Sequence, residues 1–143
     1  MSPRRLPAIL VAALLPLAAG CSSTPPAQPL PGTTWLAEDL NGRGVLDRVL
    51  TTVTFERDSM VVGSSGCNRY SAAATLDGAS LRFGQAAATR RACPPAVMDQ
   101  EQRFFAVLEE TRSYRREGSK LWLLDEQGRA LARLTRLTEV PRY

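Results

Sequence analysis

The chain has 143 residues, with 18 basic and 14 acidic side chains, three cysteines and no histidine. A cysteine nucleophile usually relies on a neighbouring imidazole, and a structural zinc site needs four nitrogen or sulfur ligands, so this composition supplies neither of them readily. The sequence therefore predicts no metal site and no cofactor.

The first twenty residues have the layout of an export signal, with two arginines followed by an apolar run from Leu6 to Ala19 and then small residues. This run is shorter than the roughly 20 residues that span a bilayer as a helix, and Pro7 and Pro16 interrupt it. We expect residues 1–20 to be a signal peptide and not a permanent membrane helix.

The junction Leu17-Ala18-Ala19-Gly20-Cys21 resembles the lipobox of bacterial lipoproteins, in which the cysteine receives diacylglycerol before cleavage in front of it. A plain signal peptide cut at an A-x-A-like site is the alternative. Under the lipoprotein interpretation, Cys21 carries several acyl chains, which together anchor a protein stably at a membrane. Because Ser22 is not the aspartate that often retains lipoproteins at the inner membrane, we expect the outer membrane, facing the periplasm, of a bacterial cell envelope.

Residues 21–32 are rich in proline and favour an extended polyproline conformation of about 3.1 Å per residue, which is typical of a tether. Residues 33–143 have the length of one ordinary domain. Without residues 1–20, 16 basic side chains remain beside 14 acidic ones, and they are scattered. This balance does not indicate a nucleic-acid partner.

Short segments rich in β-branched and aromatic residues alternate with turn signals such as Asn41-Gly42 and Asp77-Gly78, a pattern typical of an antiparallel meander. The predicted strands are Thr33–Leu40, Val49–Phe55, Met60–Gly63, Tyr70–Leu76, Leu81–Phe83, Ser113–Arg116, Leu121–Leu124 and Ala130–Leu137.

One segment has helical spacing. After Pro94-Pro95, apolar residues recur on one side of a predicted helix of about four turns. Glu101 lies near this apolar stripe, where it either caps the helix or reaches a buried polar partner, and capping is the simpler interpretation. The predicted core comprises Trp35, Phe55, Leu81, Phe83, Phe104, Leu108, Trp122 and Leu124.

The predicted fold class is α+β: a small antiparallel β-barrel, cracked or partly open, with one α-helix packed against it. If Cys21 carries lipid, Cys67 and Cys93 remain as a pair in an oxidising compartment, which favours a disulfide over two separate buried thiols. A redox role is less consistent with their separation, since redox dithiols typically lie in C-x-x-C motifs.

The segments TTWLAEDLNG (33–42), SSGCNRYSA (64–72), ATRRACP (88–94) and DQEQRFFAVLEE (99–110) resemble, in order and spacing, the META domain of bacterial lipoproteins of the HslJ heat-shock type. Five residues match the pattern of this family position by position: Gly66, Cys67, Asn68, Thr89 and Cys93. The resemblance implies a cracked antiparallel barrel with a helix, a fold shared with lipid-binding pilot lipoproteins of type III secretion. It also implies a role in envelope stress and novobiocin resistance, without an established catalytic activity.

The favoured function is that of a membrane-anchored, non-catalytic envelope protein that supports stress or antibiotic tolerance by binding an envelope protein or a lipid. Asn68, Arg69 and Thr89, next to Gly66, would then form a polar rim around a ligand site, or else the hydrogen bonds of a turn. The alternative function is an envelope hydrolase that uses a carboxylate pair drawn from Asp77, Asp99, Glu101, Glu109 and Glu110, with Ser65 and Tyr70 as candidate hydroxyls. We expect no enzyme, because charged runs on helices are usually solvated.

Overall fold

A computed structural model describes residues 29–138 of the chain; the predicted signal peptide (residues 1–20), Cys21 and the first part of the predicted tether lie outside this range. The elements within it are β1 (Thr33–Leu40), β2 (Arg43–Gly44), β3 (Thr52–Phe55), β4 (Met60–Ser64), β5 (Arg69–Asp77), β6 (Ser80–Phe83), β7 (Ala87–Ala88), α1 (Pro95–Glu110), β8 (Ser113–Glu117), β9 (Lys120–Leu124) and β10 (Ala130–Leu137). No helix in this range has the length and apolar character that crossing a membrane requires.

Eight of the strands form a closed antiparallel barrel in the order β1-β3-β4-β5-β6-β8-β9-β10, and β10 pairs back onto β1. Most neighbours share four or more residue pairs, but the ladder between β6 and β8 contains only Ser80 opposite Ser113. The predicted α+β barrel with one packed helix is therefore confirmed, and its crack corresponds to this narrow seam.

The two ends of the barrel are closed by different parts of the chain. Helix α1 covers one end of the barrel, where it contacts β6, the last part of β1 and the first part of β10. Phe104 and Val107 of the helix are buried at this end. At the opposite end, Leu30 is fully buried just before β1 begins. Because β1 starts and β10 finishes at that second end, Pro29 and Thr138 both lie far from the helix.

Side chains alternate between the interior and the surface along each barrel strand, as the period of two requires. In β9 this alternation buries Leu121 and Leu123, whereas Trp122 and Leu124 are only half-buried. The prediction that Trp122 and Leu124 belong to the core was therefore wrong, because the side chains of β9 that face the interior are those of Leu121 and Leu123. The outward Trp122 ring instead packs beneath the guanidinium of Arg115, 4.7 Å from the ring centre.

The interior is tightly filled near the helix. Tyr70 stacks edge-on against Phe104 and Phe105, with ring centres 5.2 and 5.9 Å apart, and its hydroxyl donates a 3.0 Å hydrogen bond to the Thr52 carbonyl oxygen. Opposite Tyr70, Gly63 leaves no room for a side chain, since a Cβ there would lie 2.2 Å from that same oxygen. The close approach of β4 to β3 at this point therefore requires glycine at position 63.

Candidate functional site

The predicted site residues gather at the helix end of the barrel, around the turn that joins β4 to β5. Cys67 in this turn forms a disulfide with Cys93, which lies just before α1, and their Cα atoms are 5.9 Å apart. Gly66 has a φ of 110°, and a Cβ at this position would lie 3.1 Å from Val49 Cγ1. Both the backbone angle and the tight contact explain glycine at position 66.

Asn68 is the centre of the turn. Its side-chain oxygen accepts hydrogen bonds from the Thr89 hydroxyl at 2.8 Å and from the Arg91 backbone N–H at 2.7 Å. The backbone N–H of Arg69 donates to the same Thr89 hydroxyl at 3.2 Å. Asn68 and Thr89 thus connect the β4–β5 turn to the loop before α1, as expected of turn residues, while the Arg69 side chain is exposed.

Glu101 lies beneath this turn and is buried. Its carboxylate accepts hydrogen bonds from the Asn68 backbone N–H at 3.0 Å, from the Asn68 side-chain amide at 2.9 Å and from the Ser65 hydroxyl. The predicted role of Glu101 as a helix cap was wrong, since it caps no backbone group of α1 and reaches a buried polar partner instead. Ser65 and Asn68 supply donors that offset the cost of burying the charge.

Gln100 attaches the helix to a second loop, and the sequence did not predict this. Its side-chain oxygen accepts a 2.7 Å hydrogen bond from the Leu46 N–H, and its amide donates to the Thr51 hydroxyl at 3.0 Å. Gln100 is fully buried. The sequence feature that could have predicted this contact is the presence of two adjacent polar residues, Gln100 and Glu101, in a helix that must pack against a sheet.

The remaining carboxylate candidates do not converge. Asp99 is exposed and pairs with Arg103 at 3.1 Å and with Arg43 at 3.8 Å. Glu109 and Glu110 lie on the exposed surface near the end of α1, and Asp77 is exposed at the end of β5, in the β5–β6 turn. Within residues 29–138, no three His, Cys, Asp or Glu side chains are arranged to hold a metal ion.

The candidate hydroxyls are likewise engaged. Burial raises the pKa of Tyr70, whose hydroxyl donates to a backbone carbonyl. The Ser65 hydroxyl is fully buried, and besides its bond to Glu101 it accepts a 3.2 Å hydrogen bond from the Asn68 N–H. A hydroxyl held in this way stabilises the turn and has no open approach for a substrate.

A groove lies between α1 and the chain that links β6 to β7. It has a volume of about 440 Å³, and its apolar lining comes from Phe83, Ala86, Ala88, Phe105 and Leu108, with Gln85 and Glu109 beside them. The groove exists because three residues, 84–86, stand opposite only Ala72 and Ala73 of β5, and this bulge displaces the strand. It is the feature of the helix end that best suits an apolar group.

Comparison with known proteins gives a family and a fold. The model of the META domain family matches residues 28–137. No curated protein matches the chain. A protein structure solved by NMR is 23% identical, with a TM-score of 0.60 over 74% of this chain and 90% of that one. An NMR structure of a protein from Burkholderia xenovorans is 21% identical, with a TM-score of 0.61 over 89% of this chain and all of that one. At such identities the likeness shows a shared fold.

Proposed function

Since the chain belongs to the META domain family, we propose that it is a lipid-anchored, non-catalytic protein of the bacterial cell envelope that binds a partner at the helix end of its barrel. The observation that carries this proposal is the position of Pro29, at the opposite end of the barrel from α1. A chain anchored upstream of Pro29 would hold the helix end away from the membrane. The partner would support tolerance to envelope stress or antibiotics.

The anchor would be Cys21, at the end of the lipobox-like sequence. Pro29 is the eighth residue after Cys21, and in a polyproline conformation this span would extend about 25 Å. The Arg116 guanidinium donates a 2.7 Å hydrogen bond to the Pro29 carbonyl oxygen, so the tether would leave the domain from a fixed point. If Cys21 is anchored in the outer membrane, this geometry would direct the helix end of the barrel toward the periplasm.

The binding element would be the groove beside α1. Its volume lies at the lower end of the range for ligand sites, which suits one or two apolar side chains of an envelope protein or part of a lipid chain. The barrel interior is a less suitable place, because Trp35, Phe55 and Phe104 fill it. A binding function therefore fits the surface of the helix end better than the inside of the barrel.

A non-catalytic role is supported by the environment of the buried polar groups. Glu101, Ser65 and Asn68 bind one another and the backbone, and no buried side-chain polar atom in residues 29–138 lacks a partner. Catalytic groups are often left partly unsatisfied for a substrate, whereas this cluster is complete without one. Neither the groove beside α1, to which Glu109 contributes, nor a shallow depression beside Glu110 contains two of the carboxylates that the hydrolase alternative names.

The anchor is tested by cell fractionation and intact mass. We expect the wild-type protein in the membrane fraction, without residues 1–20 and with the added mass of its acyl chains, and the Cys21→Ala protein in the soluble fraction without that mass. Retention of the leader in the wild-type protein, or membrane association of Cys21→Ala, would contradict the anchor.

The binding site is tested in the same cells by placing the photo-crosslinking residue p-benzoylphenylalanine at Ala88, in the groove. The control carries it at Thr75, an exposed position on β5. We expect a discrete crosslinked product from position 88 and none from position 75. Equal labelling from both positions, or none from either, would argue against the groove as the binding element.

A further inference from the structure

A second groove lies on the outer face of the barrel. It runs across β1, β3 and β4, has a volume of about 500 Å³, and its lining includes Leu50, Val62, Leu137 and the hydroxyl side chains of Thr34, Thr52 and Ser64. An adjoining depression of about 540 Å³ shares Leu50 and Ser64 with it. The two together form one elongated surface, which we call the outer groove.

Two arginines stand at one end of the outer groove. Arg69 lines the first part and Arg48 lines the adjoining depression. Both are exposed, and neither forms an ion pair with a carboxylate among the described residues. No acidic residue contributes to the lining of either part. The groove thus combines an aliphatic and hydroxyl floor with uncompensated positive charge at one end.

Many other arginines of the domain are already engaged. Arg43, Arg103, Arg115, Arg129 and Arg133 pair with carboxylates, and Arg112 and Arg116 donate to backbone carbonyl groups. Arg48 also adopts a φ of 62°, a conformation that a non-glycine residue rarely takes without a local reason. Among the arginines of residues 29–138 that form no such contact, Arg48 and Arg69 are the ones that line the outer groove.

We infer that the outer groove binds an extended, acidic segment of a partner polypeptide, with aliphatic side chains on Leu50 and Val62 and carboxylates on Arg48 and Arg69. Guanidinium groups bind carboxylates through two parallel hydrogen bonds, which gives both affinity and orientation. The floor has no exposed aromatic ring of the kind on which nucleic-acid bases stack. This site is separate from the groove beside α1 and does not depend on it.

The position of the arginines favours a polypeptide over a lipid headgroup. Arg69 begins β5 at the helix end of the barrel, and Arg48 precedes β3 at the same end. Pro29, from which any upstream anchor would extend, lies at the other end. A membrane beneath Pro29 would therefore be remote from both guanidinium groups.

The test uses the full chain in detergent micelles and a fluorescein-labelled pentapeptide of alternating valine and glutamate, with binding followed by fluorescence anisotropy. We expect saturable binding that weakens as salt is added. The same peptide with glutamine in place of glutamate should bind at least about tenfold more weakly, as should the Arg48→Gln/Arg69→Gln protein with the acidic peptide.

The matched control is Arg57→Gln/Arg82→Gln, which makes the same change of charge at two exposed arginines outside the outer groove. It should bind within about twofold of wild type, and both double variants should keep the wild-type melting temperature, because all four side chains are on the surface. Equal weakening in both variants would show a non-specific charge effect and overturn the site. Absence of binding at millimolar peptide, or Arg48- and Arg69-dependent binding of anionic phosphatidylglycerol vesicles in its place, would overturn the polypeptide assignment.

Discussion

At the scale of single residues, the carboxylate of Glu101 determines how the helix and the disulfide turn fit together. It lies on the face of α1 that is turned toward the barrel, and its hydrogen bonds all go to Ser65 and Asn68. A buried charge is tolerated only when donors surround it, and here one short turn provides all of them. The hydrogen bonds between the β4–β5 turn and Glu101 are therefore a structural requirement of the site.

Replacement of Glu101 by glutamine should destabilise the domain by about 2–3 kcal/mol. The side-chain NH₂ group of glutamine would face the donors of Asn68 or Ser65, leaving one donor without an acceptor, and hydrogen bonds to a charged group are lost as well. Urea denaturation of the variant measures this. Glu110→Gln is the control, because Glu110 is exposed on the same helix and its change should stay within about 0.5 kcal/mol. Equal stability of the two variants would mean that the buried carboxylate is not needed.

At the scale of elements, the disulfide bond between Cys67 and Cys93 connects the barrel to the start of α1. The two cysteines are 26 residues apart, and the loop between them contains β5, β6 and β7. Cross-linking a loop of this length removes about 3.5 kcal/mol of conformational entropy from the unfolded chain in the loop-closure model. This contribution is a large share of the 5–15 kcal/mol that small domains typically have.

The Cys67→Ala/Cys93→Ala variant should therefore lose about 3–4 kcal/mol of unfolding free energy, as measured by urea denaturation. Wild-type protein treated with a reducing agent should lose a similar amount, which separates the effect of the bond from that of the alanine side chains. Reductant should leave the double variant unchanged. If reduction did not alter the midpoint of the wild-type protein, the disulfide would not contribute to its stability.

The elements themselves were largely predictable from the sequence. Strands β1 and β10 were predicted with their observed limits; the turn signal Asn41-Gly42 follows β1, and Gly128 precedes β10. The helix was predicted because its apolar spacing follows a pair of prolines. The two-residue strands β2 and β7 were missed, since pairs of this length carry no periodic signal and depend on tertiary contacts alone.

The site was predictable only in part, for a physical reason. The cysteine count predicted the pairing of Cys67 with Cys93, and the family resemblance pointed to Asn68 and Thr89. In contrast, the partners of Gln100 and Glu101 lie more than 30 residues away in sequence, on loops whose approach is set by barrel closure. The outward orientation of Trp122 could not be predicted from the sequence of β9 alone, because both faces of this strand carry large apolar side chains.

At the scale of the whole molecule, charge ties the first strand to the last two. Glu38 of β1 contacts Lys120 of β9 and pairs with Arg133 of β10 at 3.1 Å. The hydrogen bond from Lys120 is the main cause that holds the pKa of Glu38 below its ordinary value of 4.5, and Arg133 adds to it. At the β9–β10 turn, desolvation acts to raise the pKa of Asp125, but hydrogen bonds from Arg129 outweigh it and hold this pKa below 3.8.

These shifts predict that the domain loses stability in acid. A carboxyl group with a lower pKa in the folded than in the unfolded state contributes stability that is fully present above the unfolded value and is lost as the pH falls through the folded value. For Glu38 this loss begins near pH 4.5 and continues below it.

Glu38→Gln should therefore flatten the decline in unfolding free energy between neutral and acid pH. The change should cost less than about 1 kcal/mol at neutral pH, as expected of a partly exposed ion pair. Glu56→Gln serves as the comparison, because Glu56 is exposed just after β3 and the change there removes none of the ion pairs found among residues 29–138. Urea denaturation at a series of pH values measures both profiles, and identical slopes in Glu38→Gln and wild type would show that the pairing of β1 with Lys120 and Arg133 does not govern the acid response.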